Sequence, residues 1–323
     1  MKVYSNTDTM PAFDKAVVTI GTFDGVHLGH QQIIAQLKKE ARRINGETVL
    51  VTFDPHPRKI VSARPLQLIN TLPEKIELLE AQGIDNLVVV PFTADFSNQS
   101  ANAYIEDFLI SRFHPHTVII GYDHRFGKDR SGDFHLLEKF ARQHAFRLIE
   151  IPVHVIDEAT ISSTKIREAL LNGQLEEAGR FLGYDYFFEG LVTEGNKLGR
   201  TIGYPTANLQ LQTEDKLVPG NGVYAVYAAI KDIPGAKSKA RSSLTTQHSP
   251  YKGMMNIGMR PTVDGTKRVI EVNIFDFDED IYGVVLRVYL KKYLRSEQKF
   301  SGLDALKEQL AKDRSHALRG LRD

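Results

Sequence analysis

Short apolar runs rich in β-branched residues return at intervals through the first half of the chain, each separated from the next by an amphipathic stretch. Ala16 to Ile20 (AVVTI), Thr48 to Phe53 (TVLVTF), Leu87 to Phe92 (LVVVPF), Thr117 to Tyr122 (TVIIGY) and Arg147 to Val153 read as strands. Such continuous runs suit strands buried on both faces. Between the first two, Leu28, Ile33, Ile34 and Leu37 fall at helical spacing, ahead of Lys38, Lys39, Arg42 and Arg43, where a helix C-terminus favours cations. Pro73 to Gln82 opens on proline and is closed by Gly83, and Ala101 to Phe113 and Phe134 to Ala145 complete the helices. This alternation predicts a parallel sheet covered on both faces, with ligands outside the carboxyl ends of its strands. The loops after Ile20, Phe53, Phe92, Tyr122 and Val153 are therefore where chemistry is expected.

The pattern changes near Gly183. Two short helices, Thr164 to Leu171 and Leu175 to Leu182, close the first half. Alternating segments broken by Gly, Pro and Asn follow: Phe187 to Thr193, Gly222 to Ile230, Met254 to Ile257, Arg268 to Phe277 and Val284 to Leu290. They predict an antiparallel, β-rich second half, most simply a small barrel, ending in an amphipathic helix over Leu303 to Leu321. Pro234 to Pro250 is polar and basic and reads as a flexible loop. The fold class is thus α/β plus all-β, with domains over 1–184 and 185–323, as suits 323 residues.

Composition removes several functions. Lys plus Arg number 41 and Asp plus Glu 40, a balance that offers no broad attraction for nucleic acid or an anionic membrane. With no cysteine there is no disulfide, zinc thiolate or cysteine nucleophile. Neither a signal peptide nor a run near the roughly 20 apolar residues of a membrane helix is present, so a cytoplasmic location is expected. Nothing in the sequence sets an oligomeric state.

GTFDGVHLGH (Gly21 to His30) follows the first strand directly and opens the first helix. Gly21 and Gly25 let backbone approach a ligand closely beside Phe23, and a helix N-terminus favours phosphate. His27 and His30 stand three apart, so both rings can face one point. ISSTKIR (Ile161 to Arg167) enters another helix, where Ser162, Ser163 and Thr164 supply hydroxyls and Lys165 and Arg167 supply positive charge. The competing bland reading is two ordinary surface or core histidines and a plain helix cap; the place of the histidines at the strand-to-helix turn favours a functional one.

Together the two motifs resemble the HxGH nucleotidyltransferases and a Rossmann-like sheet. That resemblance implies attack by an anionic nucleophile on the α-phosphorus of a nucleoside triphosphate, with pyrophosphate leaving. A phosphate nucleophile needs no general base, which leaves positioning and charge stabilisation to His27, His30 and Arg167. FDPHP (Phe53 to Pro57) and GYDHRFG (Gly121 to Gly127) end further strands and carry Asp123, a candidate nucleotide contact that otherwise reads as a turn cap. With them the first half is similar to the adenylyltransferase half of bacterial bifunctional riboflavin kinase/FAD synthetases. Phe126 and Gly127 match that pattern, whereas His124 stands where an aromatic is more usual.

In the second half, GRTIGYPTAN carries Gly199, Gly203 and Pro205 in a stiff loop, then Thr206 and Asn208 two residues apart. Neutral oxygens of that kind suit Mg²⁺ when nucleotide phosphates supply the negative charge. Glu271, in RVIEVNIFDF, reads from spacing alone as a solvent-facing strand residue. PGNGVYAV, MNIGMRPT, EVNIFDFDEDIYG and KFSGLDAL follow in an order similar to the riboflavin kinase domain. The resemblance implies that Thr206 and Asn208 hold Mg²⁺ and ATP. It also implies that Glu271 is the general base for the ribityl hydroxyl, and that loops at Gly199 to Pro205 and Gly258 to Thr262 close over nucleotide and flavin. Asn273 departs from the family, where His is common, and the Pro234 to Pro250 loop is longer than usual. The expected function is therefore phosphorylation of riboflavin to FMN and adenylylation of FMN to FAD, with ATP as co-substrate.

Two rivals are weighed against it: an HxGH transferase acting on another phosphorylated substrate, and a flavin sensor that has lost activity. Product analysis with riboflavin and ATP separates the first; flavin binding without turnover would mark the second.

Overall fold

The computed structural model describes residues 1–5, 7–62, 65–152, 161–195, 198–231, 250–262 and 265–321. The expected Pro234 to Pro250 loop lies, except for its last residue, outside them. Two compact units divide the chain, Met1–Ser163 and Thr164–Asp323. The second thus begins ahead of the 184/185 boundary expected from sequence, because the helices Ser163–Leu171 and Leu175–Leu182 join the barrel half. Ala169, Leu170 and Leu182 are buried, and the Leu170 carbonyl accepts a hydrogen bond from the Gly220 amide at 3.2 Å.

The first unit is built on six parallel strands: β1 (Lys2–Tyr4), β2 (Val17–Ile20), β3 (Thr48–Asp54), β4 (Asn86–Pro91), β5 (Thr117–Gly121) and β6 (Arg147–Ile151). Their order is β1-β4-β3-β2-β5-β6. Burial on both faces accounts for the unbroken apolar runs. Val18, Val49, Val51, Val88 and Val118 pack on one side with Tyr104 and Phe108. Leu50 and Leu87 pack on the other with Ile34, and Val17 and Ile119 with Ile33 and Leu37. Each such side chain contributes roughly 1.5–3 kcal/mol when buried. The chain leaves β2 for β3 on one side and later sets β5 on the other, so their carboxyl ends flank a topological switch point.

Local chemistry sets the helix limits. His27 caps Leu28–Ile44, which ends at Asn45 in the left-handed region (φ 52°). Leu72–Ala81 begins with a capping box between Thr71 and Glu74. The expected helix over Ala101 to Phe113 forms, with a π-helical stretch at Tyr104–Ile110. β1 and the short helices Pro57–Val61 and Ala94–Ser97 were not legible as elements.

In the second unit, β7 (Phe187–Thr193), β8 (Ala207–Gln210), β9 (Gly222–Lys231), β10 (Tyr251–Thr262), β11 (Gly265–Ile274) and β12 (Val285–Arg295) close into an antiparallel barrel, in the order β10-β11-β8-β7-β12-β9. The helix Leu303–Gly320 covers one side, where Ala317 and Leu321 pack against Ala225, Met254 and Phe275. Two sequence readings are corrected here. Gly258 to Thr262 is not a loop but the end of β10, paired with β11 from Gly258↔Val269 to Thr262↔Gly265. The Gly199 to Pro205 stretch is partly helical, as the short helix Leu198–Thr201 followed by a turn in which the Tyr204 amide donates to the Gly199 carbonyl at 2.8 Å.

Candidate active sites

At the end of β2 the chain turns sharply into the first long helix. Gly21 continues the ladder through its amide, which donates to the Val51 carbonyl at 3.0 Å. Phe23 (φ 46°), Gly25 (φ 93°) and Val26 (φ 39°) then adopt left-handed backbone, which Gly25 tolerates freely and the other two only under outside restraint. That restraint is visible. Asp24 is buried, and its Oδ1 accepts the amides of Ile69 (3.0 Å) and Asn70 (3.3 Å). The Ser163 hydroxyl donates to the Asp24 carbonyl at 2.9 Å.

The turn delivers both histidines to one place. Their rings stack with centroids 3.6 Å apart and 16° between planes. The Nδ1 of His27 accepts the His30 amide at 3.3 Å, so the ring's proton sits on Nε2. Phe23 leans on His30, with ring centroids 5.0 Å apart. The Nδ1 of His30 is buried and, among the described residues, has no hydrogen-bond partner. Burial, and then the electrostatic influence of the neighbouring His27 and of the Lys75 ammonium, hold His30 well below the usual imidazole range. A neutral His30 offers one N–H to an anion.

Of the other expected residues in this half, Asp123 is exposed in the turn after β5, and Ser162 is half-buried at the mouth of its helix. Thr164, exposed, and Arg167, half-buried, continue that helix into the second unit. Burial pushes His124 down to about 4 against the opposing pull of Asp123. Its neighbour Phe126 is buried and stacks on Tyr104 at 4.9 Å.

In the barrel unit a cleft of about 300 Å³ is lined by, among others, Gly199, Thr206, Arg260, Glu271, Asn273 and Glu297. Glu271 stands opposite Asn256 on one neighbouring strand and Asn208 on the other, so the three side chains share a face. Spacing alone, which favoured a solvent-facing Glu271, is overruled: the carboxylate looks into the cleft and accepts from Arg260 Nη2 at 3.1 Å. Asn208 does not itself line the cleft; its amide rests against Gly195, where a larger side chain would collide. Gly203 takes φ 86° at the turn before Pro205. Asn273, the departure from the family pattern, donates from Nδ2 to the Pro205 carbonyl at 2.6 Å and so fixes the turn just ahead of Thr206. Arg295 and the buried Asp313 close the floor as a two-pronged ion pair of 2.6 and 2.9 Å, to which Gln309 adds a hydrogen bond.

Arg260 and Lys75 were not singled out from sequence. Lys75 had a signal: within PEKIELLEA it occupies the face that also carries Leu72 and Leu79.

Comparison with known proteins matches each half of the chain to a different family. Residues 10–165 match the family model described as FAD synthetase, and residues 182–321 the model described as riboflavin kinase. A bifunctional riboflavin kinase/FMN adenylyltransferase of Haemophilus influenzae is 37% identical over 298 residues, covering 92% of this chain and 91% of its own. That of Bacillus subtilis is 36% identical, covering 94% and 92%. A crystal structure from Streptococcus pneumoniae, described as a macrolide-efflux protein, superposes with a TM-score of 0.83 at 31% identity and 98% coverage of both chains. Among the described residues of the present chain, no helix is long and apolar enough to cross a membrane.

Proposed function

The chain belongs to the bifunctional riboflavin kinase/FMN adenylyltransferase family, and from that premise we propose which residues carry each of its two reactions. It phosphorylates riboflavin to FMN and joins FMN to AMP from ATP, giving FAD and pyrophosphate. The observation that carries the residue assignment is the cleft that gathers Thr206, Arg260, Glu271 and Asn273 from separate strands and loops.

In the kinase half, Glu271 accepts the proton of the terminal ribityl hydroxyl while that oxygen bonds to the γ-phosphorus and ADP leaves. Gly199 and Gly203 shape the turn that admits nucleotide. Thr206 and Asn208 present hard, neutral oxygens beside the carboxylate, a donor set that suits Mg²⁺ entering with nucleotide phosphates. Among the described residues, no group of three or more His, Asp or Glu side chains could hold a metal ion without them. Mg²⁺, when bound, neutralises phosphate charge.

In the transferase half, an FMN phosphate oxygen attacks the α-phosphorus of ATP and the bond to pyrophosphate breaks. Gly21, Phe23 and Gly25 bring backbone close to the nucleotide, and the N–H groups of His27 and His30 donate to phosphate oxygens. Ser162, Ser163 and Thr164 start the helix that carries Arg167, whose guanidinium offsets the charge of leaving pyrophosphate. Asp123 is assigned to the nucleotide as well. A cytoplasmic location belongs to the same proposal, supported by the use of ATP in both steps.

The test is product analysis by chromatography, starting from riboflavin or from FMN with ATP and Mg²⁺, on Glu271 and His30 variants. Loss of one step apiece supports the assignment; loss of both steps together in either variant overturns it.

A further inference from the structure

Beneath the histidine-bearing turn lies a charge that neither motif contains. Lys75, on the helix Leu72–Ala81, is only 5% exposed. Its ammonium donates to the Thr22 carbonyl at 2.7 Å and to Thr52 Oγ1 at 3.5 Å, while Thr52 Oγ1 itself donates to the same carbonyl at 3.1 Å. Thr22 is the residue immediately before Phe23, where the backbone first enters the left-handed region. Four tethers therefore hold this turn: Lys75 and Thr52, each on the Thr22 carbonyl, the Ile69 and Asn70 amides on Asp24, and Ser163 on the Asp24 carbonyl.

A buried ammonium is expensive. Burial lowers the Lys75 pKa against the opposing pull of Asp24 and Asp54, the two carboxylates that face it. An apolar side chain would fill the same space on this helix face without that cost. The ammonium instead sits against the one backbone carbonyl from which the strained turn departs.

We propose that Lys75 is a positioning residue for adenylyl transfer: by gripping the Thr22 carbonyl it sets the turn through Phe23 and Gly25, and with it the point at which His27 and His30 meet phosphate. The proposal rests on reading the first unit as the FMN adenylyltransferase. The same ammonium disfavours protonation of His30, whose other titratable neighbour is His27. Removing it lets His30 take up a proton at higher pH.

The test uses the full chain with Lys75→Met and Lys75→Gln. Three quantities are measured: kcat and KM for FAD formation from FMN, riboflavin phosphorylation by the same sample as a control of folding, and the His30 imidazole titration by NMR without nucleotide. In Lys75→Met, kcat for FAD formation is expected to fall about 10- to 100-fold with little change in KM. Riboflavin phosphorylation persists, and the His30 midpoint rises. Lys75→Gln, which keeps a donor but no charge, recovers part of the kcat and leaves the midpoint raised. Unchanged kcat and midpoint in both variants, or loss of both activities in both, overturns the role of Lys75. Wild-type protein that makes no FAD from FMN overturns instead the reading of the unit.

Discussion

Arg260 donates to Glu271 at 3.1 Å, so one oxygen of the carboxylate assigned as base is already engaged before substrates arrive. The guanidinium fixes the carboxylate's direction and leaves its second oxygen for the ribityl hydroxyl in the proposed reaction. Both residues line the barrel cleft, and their strands pair directly.

Glu271→Gln keeps the shape and removes the proton acceptor. Riboflavin phosphorylation should fall about 10²- to 10⁴-fold while FMN is still converted to FAD. Chromatography with each flavin as starting material checks both halves in one preparation.

His30→Ala takes away the N–H proposed to meet phosphate and one ring of the stacked pair. FAD formation should drop about 10²- to 10³-fold, with FMN accumulating from riboflavin at the wild-type rate. Undiminished FAD synthesis in this variant would remove His30 from the reaction.

Acid should loosen the first unit before the second. Burial pushes the His124 imidazole down to about 4 from the 6.5 of an exposed one, and His30 is also lowered. The unfolded chain therefore binds protons more readily between these values. Stability is whole above about 6.5 and declines as pH falls toward about 4. Glu40, lowered chiefly by its hydrogen bond to Arg43, adds a further loss below 4.5. Unfolding midpoints measured across this range should decline more gently in His124→Gln.

Asp313 is buried under a two-pronged bond from Arg295. Asp313→Ala strands that guanidinium and should cost about 3–5 kcal/mol, read as a lowered unfolding midpoint of the barrel unit. Arg295→Met with Asp313→Leu should restore much of it.

Legibility followed the range of the forces involved. The inner strands announced themselves because burial on both faces demands runs such as TVLVTF, and the helix starts because Thr71 and Glu74 cap locally. β1, three residues long, and β8, with the polar sequence ANLQ, owe their existence to partners far along the chain, β4 for one and β7 and β11 for the other. The site divided in the same way. His27 and His30 are neighbours in sequence and were readable as a pair. The pairing of Arg260 with Glu271, the bond from Asn273 to Pro205 and the grip of Lys75 on Thr22 join residues that meet only when the sheets assemble.

The closed barrel has a further consequence, for how the molecule fails. Every one of its strands has a neighbour on both sides, so the barrel offers no ready template on which a second copy could grow a sheet. The parallel sheet does end, at β1 and β6, and β6 carries the charges Arg147 and Glu150. Under stress, stacking of one copy on another should start from that half, and neutralising those two charges should hasten clouding of a concentrated sample.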